Sequence, residues 1–444
     1  MVGRSRAGSF QLSLTSVPRV ERVAMLSVHT SPVAMLGGTD AGGLNVYVCQ
    51  LARQLDQLGV CVDIFTRRAD ALAPEVAQLS RRVRVISIDA GPPNVISKDD
   101  IFSYLSDFAS EVALFSLREG IRYDVVHSHY WLSGWAAHLL RRYWNVPTVH
   151  MFHTLAHLKN AVGAGAPESA LRLNTERKLL ELLDNIIAAN PDERAEMVWQ
   201  LGANNAHICT IPPGVDLDLF SPVDAEQART RLGLPANPLI LFVGRVDAMK
   251  GIDTLLEGFA LLHRRDWGAL PPQLVFVGGT MIHDVDGERL GLDLRPVAAR
   301  AVDLGIRQHV LFRGSAPQAQ LPDYYAAASV AAVPSRYESF GLVAVEAMAC
   351  GLPVVASRAG GLKFTVEEEV SGLLVPPSDP PALATALARV LDDRDLRSSL
   401  QVGARQAAVR FSWQSIGPAM LHVYERLADG ERENLCCLGE VYAS

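Results

Sequence analysis

The chain has 444 residues, of which 49% are hydrophobic and 20% charged, with a formal net charge of -7 and a pI near 6.0. That length suits two domains with separate cores and excludes a disordered polyelectrolyte. The acidic balance excludes a general nucleic-acid binder, which carries a basic excess.

Residues 1–20 carry Arg4, Arg6 and Arg19 without a long apolar stretch, so they read as a loose extension rather than a secretory leader. No run long enough to span a bilayer occurs, and a cytoplasmic enzyme is expected. Arg22 to Val28 reads as a buried parallel strand. A glycine-rich loop follows, Gly37-Gly38-Thr39-Asp40-Ala41-Gly42-Gly43. Leu44 to Leu58 then shows helical spacing and stops at Gly59. Strands are predicted at Val60 to Phe65, Val83 to Ile88, Val125 to His127, Thr148 to Phe152, Ile186 to Ala189 and Ile208 to Ile211, with a helix over Ile101 to Leu117. Pro212-Pro213-Gly214-Val215-Asp216 is the best linker.

A second alternating unit begins with strands at Leu239 to Val243, Leu274 to Val277, Val310 to Arg313, Val330 to Pro334 and Val354 to Ala356. Helices are predicted at Phe340 to Cys350 and Pro380 to Asp392, and one more after Phe411. The expected fold is therefore α/β, with two doubly wound Rossmann-like domains facing a cleft: residues 21–214, then 215–410. Residues 411–444 form a helix and tail returning toward the first domain.

Three strand-to-helix loops carry chemistry. Gly42 and Gly43 leave backbone N–H groups open to a phosphate at a helix start, although a tight turn explains the same glycines. Asp63 lies about 20 residues on, as in a dinucleotide site, but the glycine spacing is wrong and Asp63 falls inside its strand. Arg245 and Lys250 share one glycine-flanked loop, and two cations there neutralise a diphosphate leaving group without a metal. The alternative is a pair of solvated surface charges. In Glu338-Ser339-Phe340-Gly341-Leu342 the N–H groups of Gly341 and Leu342 face an anion, and Glu338 and Glu346 suit sugar and ribose hydroxyls. A cap and a salt-bridge partner are the plainer roles. Glu346 sits among Val345, Ala347 and Met348, where an idle carboxylate is costly.

His127, His129, His150 and His153 lie on or after two separate strands and lack metal-ligand spacing. His153 reads as a hydrogen-bond donor to substrate; His127 and His150 read as satisfied core residues. The six cysteines, Cys49, Cys61, Cys209, Cys350, Cys436 and Cys437, are expected to act as small buried hydrophobes, with no role assigned to the last two.

With these residues in view, the chain resembles the retaining glycosyltransferases of family 4, which have the two-Rossmann GT-B fold. Glu338 and Glu346 look like that family's paired-glutamate motif, and Gly244-Arg245 with Lys250-Gly251 looks like its diphosphate loop. The resemblance covers about residues 21 to 430. The N-terminal half is most similar to the branch that glycosylates 1D-myo-inositol 3-phosphate, through Asn45-Val46-Tyr47-Val48, His127 to Gly134, His153-Thr154-Leu155-Ala156 and Lys159-Asn160. It implies acceptor-phosphate contacts at Lys98, Tyr130, Thr154 and Arg172, an acceptor-ring contact at Asn45, and donor contacts at Gly43, Arg245, Lys250, Glu338, Ser339, Phe340, Gly341, Leu342 and Glu346. Gly91-Pro92-Pro93-Asn94 departs from the branch's usual loop before Lys98, while Arg336-Tyr337 and Ala349-Cys350-Gly351 look equally like sucrose-phosphate synthases.

The implied reaction moves a hexose or N-acetylhexosamine from a UDP-sugar co-substrate to a phosphorylated polyol or sugar, on the face the diphosphate leaves. Arg245, Lys250, His153 and Glu338 are the expected catalytic set. No cofactor is required for the chemistry; Mg2+ is permitted but no ligand motif indicates it, and a homodimer is an allowed assembly. Rival readings are a sucrose-phosphate synthase-like enzyme, a silent sugar-nucleotide sensor and a dinucleotide-dependent oxidoreductase.

Overall fold

The computed structural model describes residues 19–32, 42–163, 165–268, 270–284 and 287–436. The loop residues Gly37 to Ala41, most of the extension 1–20, and Cys437 lie outside these.

The strands are mostly apolar runs too short for helices, and the burial of those runs on both faces explains why they do not alternate. In the first half these are β1 (Arg22–Leu26), β2 (Cys61–Arg67), β3 (Val76–Ser80), β4 (Val83–Ile88), β5 (Val125–His129), β6 (Thr148–Met151), β7 (Asn185–Ala188) and β8 (Ile208–Thr210). They make one sheet in the order β3-β4-β2-β1-β5-β6-β7-β8, parallel except where β3 pairs antiparallel with β4. The second half contributes β9 (Leu239–Val243), β10 (Gln273–Val277), a hairpin of β11 (Met281–Asp284) and β12 (Gly287–Leu290), β13 (Val310–Gly314), β14 (Val330–Val333), β15 (Val354–Ser357) and β16 (Gly372–Val375). Its parallel sheet runs β13-β10-β9-β14-β15-β16. Strand order reverses about β1 and about β9, so both sheets are doubly wound, and ligands of such sheets bind beyond the carboxyl ends of the strands at those points.

The predicted helix over Ile101 to Leu117 is two helices, Lys98–Phe102 and Leu105–Glu119. Ser97 caps the first by accepting from Asp100 N–H, and Ser103-Tyr104 separates it from the longer helix.

The chain passes between sheets twice at one place. Val215 N–H donates to Phe411 O at 2.7 Å, and Trp413 N–H donates to Val215 O at 3.2 Å. The final helix, Trp413–Ala428, then lies against the first helix, Gly43–Gln57. It buries Trp413, Ile416, Met420, Val423, Tyr424 and Leu427, each stabilising by roughly 1.5–3 kcal/mol when fully withdrawn from water. Trp413 meets Tyr47 edge-on at 5.5 Å, and Tyr424 OH lies 2.6 Å from His127 Nδ1 on β5. One apolar cluster therefore runs through both halves and fixes the cleft between them. Among the described residues no helix is long and apolar enough to cross a membrane.

Candidate active site

β9 ends at Val243 and delivers Gly244-Arg245 to the cleft edge of its sheet. The loop closes in a single 3-10 turn, Ala248–Lys250, capped by the Asp247 carboxylate on Met249 N–H at 2.8 Å. Gly251 follows with φ +64°, and a Cβ there would stand 2.0 Å from Pro334 O, so the loop lies flush against the chain leaving β14. Arg336 N–H donates to Met249 O at 2.8 Å and joins the two loops. The result is an ion pair: Lys250 Nζ lies 2.5 Å from Glu338 Oε2, an oxygen that also accepts from Ser335 Oγ at 3.3 Å. Arg245 stands nearby, half-exposed, 3.8 Å from Asp247.

Gly361 supports this loop from behind. Its N–H donates to Glu338 O at 2.7 Å, and a Cβ on it would come within 2.3 Å of Ser339 O. Ser339 is gripped from the other half: Asn190 Nδ2 donates to its carbonyl at 2.6 Å and its hydroxyl reaches Glu193 Oε1 at 3.5 Å. Lys363 pairs with Asp192 beside them. The Phe340 side chain is buried on Phe411, 5.4 Å between ring centres, so only its backbone is left for a ligand.

The helix Leu342–Ala349 starts at Gly341, and its first residue meets the first helix of the other half. A Cβ on Gly43 would stand 3.2 Å from Leu342 Cδ1, and one on Gly42 3.7 Å from Arg245 Nε. Two helix N-termini, each the positive end of a dipole, thus converge beside a guanidinium, as an anion site requires. Glu346, one turn inside its helix, is buried and hydrogen-bonded by Tyr325 OH at 2.9 Å and by the Gln318 side chain. Burial lifts its carboxyl to about 7.

The opposite wall gathers the four phosphate-suited residues. Arg172, on the helix Ala170–Leu182, packs its guanidinium 4.7 Å from the Tyr130 ring centre and donates to Thr154 O at 2.7 Å and Thr154 Oγ1 at 3.4 Å. Lys98 Nζ lies 5.8 Å from the same Tyr130 ring. Arg172 is itself buried between Glu176, 2.6 Å from Nε, and Glu168, 2.8 Å from Nη1, while Lys159 also pairs with Glu168. Asn45 spends both amide hydrogens on Thr30 Oγ1 at 2.9 Å and Ser31 O at 2.6 Å; its Oδ1 is buried with no partner among the described residues.

Tyr130 and His153 are held at φ 75° and 63°, one residue past the end of β5 and two past the end of β6. Such conformations cost a side-chain-bearing residue about 1–2 kcal/mol and persist where the surroundings impose them. His153 Nε2 lies 3.1 Å from His129 Nδ1, and burial pulls His153 down to about 3, so its ring is neutral near pH 7. His127 and His150 each use one ring nitrogen, on Tyr424 OH and on Ser128 Oγ at 2.9 Å; among the described residues Nε2 of each has no partner. They are half-satisfied core histidines. Among the described residues no group of three or more His, Cys, Asp or Glu side chains is placed to hold a metal ion.

Asp63, the residue that favoured a dinucleotide, is committed elsewhere. It is buried in mid-strand, accepting two 2.8 Å bonds from Arg84 and one of 2.8 Å from Tyr123 OH. Sequence reasoning missed Glu168, Glu176, Asn190, Glu193, Tyr325 and Gly361. Glu168 and Glu176 carried a local signal, the i,i+4 spacing on either side of Arg172, and Asn190 with Glu193 has the spacing of a capping box.

Two facing doubly wound domains with convergent helix N-termini in the cleft define the GT-B class of glycosyltransferases. The comparisons agree. Residues 41–219 match the family described as Glycosyltransferase Family 4, and residues 224–407 match Glycosyl transferases group 1. A D-inositol 3-phosphate glycosyltransferase of Xylanimonas cellulosilytica is 43% identical, over 91% of this chain and 97% of that protein. One from Kineococcus radiotolerans is 42% identical, over 92% and 95%. Among solved structures, a sucrose-phosphate synthase from Thermosynechococcus elongatus superposes with a TM-score of 0.83 at 37% identity, covering 93% of this chain and all of that one. Anabaena HepE, solved with UDP and glucose, shares the fold at TM-score 0.70 and 20% identity, over 90% and 97%. The chain belongs to glycosyltransferase family 4, and it is a glycosyltransferase.

Proposed function

We propose that this enzyme transfers a hexose or N-acetylhexosamine from a UDP-sugar to 1D-myo-inositol 3-phosphate with retention of anomeric configuration. The observation that carries the reading is the convergence of Lys98, Tyr130, Thr154 and Arg172 on one patch of the first domain, across the cleft from the Lys250–Glu338 pair. Two cations and two hydroxyls suit a phosphate monoester. Relatives above 40% identity bear the name of an inositol 3-phosphate glycosyltransferase.

In this reading the diphosphate lies where the Gly43 and Leu342 helix starts meet, and Arg245 and Lys250 stabilise the charge that develops as it leaves. Ser339 and the backbone N–H groups of Phe340, Gly341 and Leu342 line the sugar diphosphate, Glu338 holds sugar hydroxyls, and Glu346 accepts from ribose. Asn45 Oδ1 accepts from an acceptor hydroxyl. His153, neutral and with Nε2 engaged, offers Nδ1 to the substrate. The acceptor oxygen attacks from the face the diphosphate vacates. A soluble enzyme using a nucleotide sugar and a small phosphorylated acceptor follows, with no resident cofactor; a homodimer and a cytoplasmic location belong to the same proposal.

The sucrose-phosphate synthase likeness at 37% identity supports a second reading, with fructose 6-phosphate as acceptor. A UDP-release screen crossing UDP-glucose and UDP-N-acetylglucosamine with inositol 3-phosphate, fructose 6-phosphate and free inositol separates them. Turnover with inositol 3-phosphate, and an α-linked product by NMR, is expected. Turnover only with free inositol would overturn the phosphate patch; turnover only with fructose 6-phosphate would select the second reading.

A further inference from the structure

β8 is the last strand of the first sheet and is paired on one side only, with β7. An open edge of this kind is ordinarily covered. Here the segment after the final helix covers it. Asn434 N–H donates to Ala206 O at 2.8 Å, Leu435 is fully buried, and Cys436 Sγ lies 3.6 Å from Ile208 O. Arg426 holds the segment from its other side, donating to Asn434 O at 2.8 Å. This places Cys436 beside Cys209, the middle residue of β8 and the neighbour of Ile208, so close that each thiol shifts the titration of the other. Both are free cysteines; Cys209 is buried and Cys436 only partly so.

We propose that Cys209 and Cys436 form a redox-closable pair that bolts the C-terminal segment to the edge of the first sheet. The two sulfurs are not equivalent. The Cys209 thiol beside it, with Arg194 nearby, lowers the Cys436 thiol, whereas the Cys436 partner and then burial raise Cys209. Cys436, only partly buried, is the sulfur a small disulfide reaches, so it is the attacking thiolate and Cys209 the resolving thiol. The oxidant is a small-molecule disulfide. The Cys436 thiolate attacks one of its sulfurs, forming a mixed disulfide and releasing one small thiolate. Cys209 then attacks the Cys436 sulfur and displaces the second small thiolate, and its proton goes to a released thiolate. Two protein thiols and one small disulfide become one protein disulfide and two small thiols. The clip closes behind the helix that carries Tyr424, so it also secures the contact with His127 in β5.

The test uses the full-length protein, reduced, then incubated with oxidised glutathione. Non-reducing peptide mass spectrometry is expected to find a 209–436 cross-link, formed equally in Cys437→Ser and absent in Cys209→Ser and Cys436→Ser. The oxidised protein should melt at least roughly 5 °C higher than the reduced one, a difference abolished by dithiothreitol and absent in Cys436→Ser. A stable glutathione adduct without cross-link, a cross-link only to Cys437, or identical melting of oxidised and reduced protein would each overturn the proposal.

Discussion

Lys250 Nζ lies 2.5 Å from Glu338 Oε2, an ion pair between loops that leave different strands of one sheet. Both side chains remain about one-fifth exposed, so the pair adds little to stability but holds an ammonium at the cleft. Lys250→Ala is therefore expected to lower kcat/KM by about 10²–10³-fold, the cost of removing a donor from developing charge, with a nearly unchanged melting temperature. Steady-state kinetics beside differential scanning fluorimetry checks both halves. An unchanged kcat/KM would remove Lys250 from the mechanism.

The opposite wall calls for a different substitution. Arg172→Ala would leave the buried Glu176 uncompensated, while Glu168 keeps Lys159, and breaking a buried pair costs about 3–5 kcal/mol, so lost activity would say little. Lys98 starts a short helix and is only partly buried, so Lys98→Ala should fold normally. We expect its KM for a phosphorylated acceptor to rise about ten- to a hundredfold while the donor KM stays put. Equal increases for both substrates would place Lys98 outside the acceptor patch.

Glu346 gives a pH prediction. Burial lifts its carboxyl to about 7 in the fold, against about 4.3 for an unfolded glutamate. Between those values the folded state keeps a proton that the unfolded state has lost, so stability falls as pH rises toward and through 7. Glu193, also lifted to about 7 by burial, acts in the same direction. The melting temperature of the ligand-free protein should decline from about pH 5 to about pH 8, and Glu346→Gln should flatten part of that decline while keeping the Tyr325 bond. Superimposable melting profiles for parent and variant would contradict the assignment.

Much of this was legible in the sequence because buried parallel strands are short apolar runs: β4 and β9 and the helix Pro380–Asp392 fall where the pattern puts them. β3 was not legible. It is a half-exposed, polar edge strand that pairs antiparallel, so it carries no apolar run. β16 opens with a glycine and is equally silent. At the site, charged residues at strand ends could be picked out one by one, and family resemblance supplied the grouping of Lys98 with Tyr130, Thr154 and Arg172. What no local pattern encodes is pairing across the fold. Tyr325 on Glu346, Asn190 on Ser339 and Cys209 against Cys436 join residues whose separation in sequence bears no periodic relation to the contact.

The Asn190–Ser339 contact yields the last prediction, because it crosses the cleft beside Glu338. Asn190 does two things. Its Oδ1 caps the helix Pro191–Trp199 by accepting from Glu193 N–H at 2.9 Å, and its Nδ2 donates to Ser339 O at 2.6 Å. Asn190→Ala loses both, and the cap alone is worth about 1 kcal/mol. Asn190→Ser keeps a capping oxygen but is too short to reach Ser339. The serine variant should therefore melt close to the parent, with kcat/KM reduced about fivefold, the effect of roughly 1 kcal/mol, because the Glu338-Ser339 segment is no longer held from the first domain. If only the alanine variant loses activity, and in step with its stability, Asn190 is a helix cap and the bond to Ser339 does not position the donor loop.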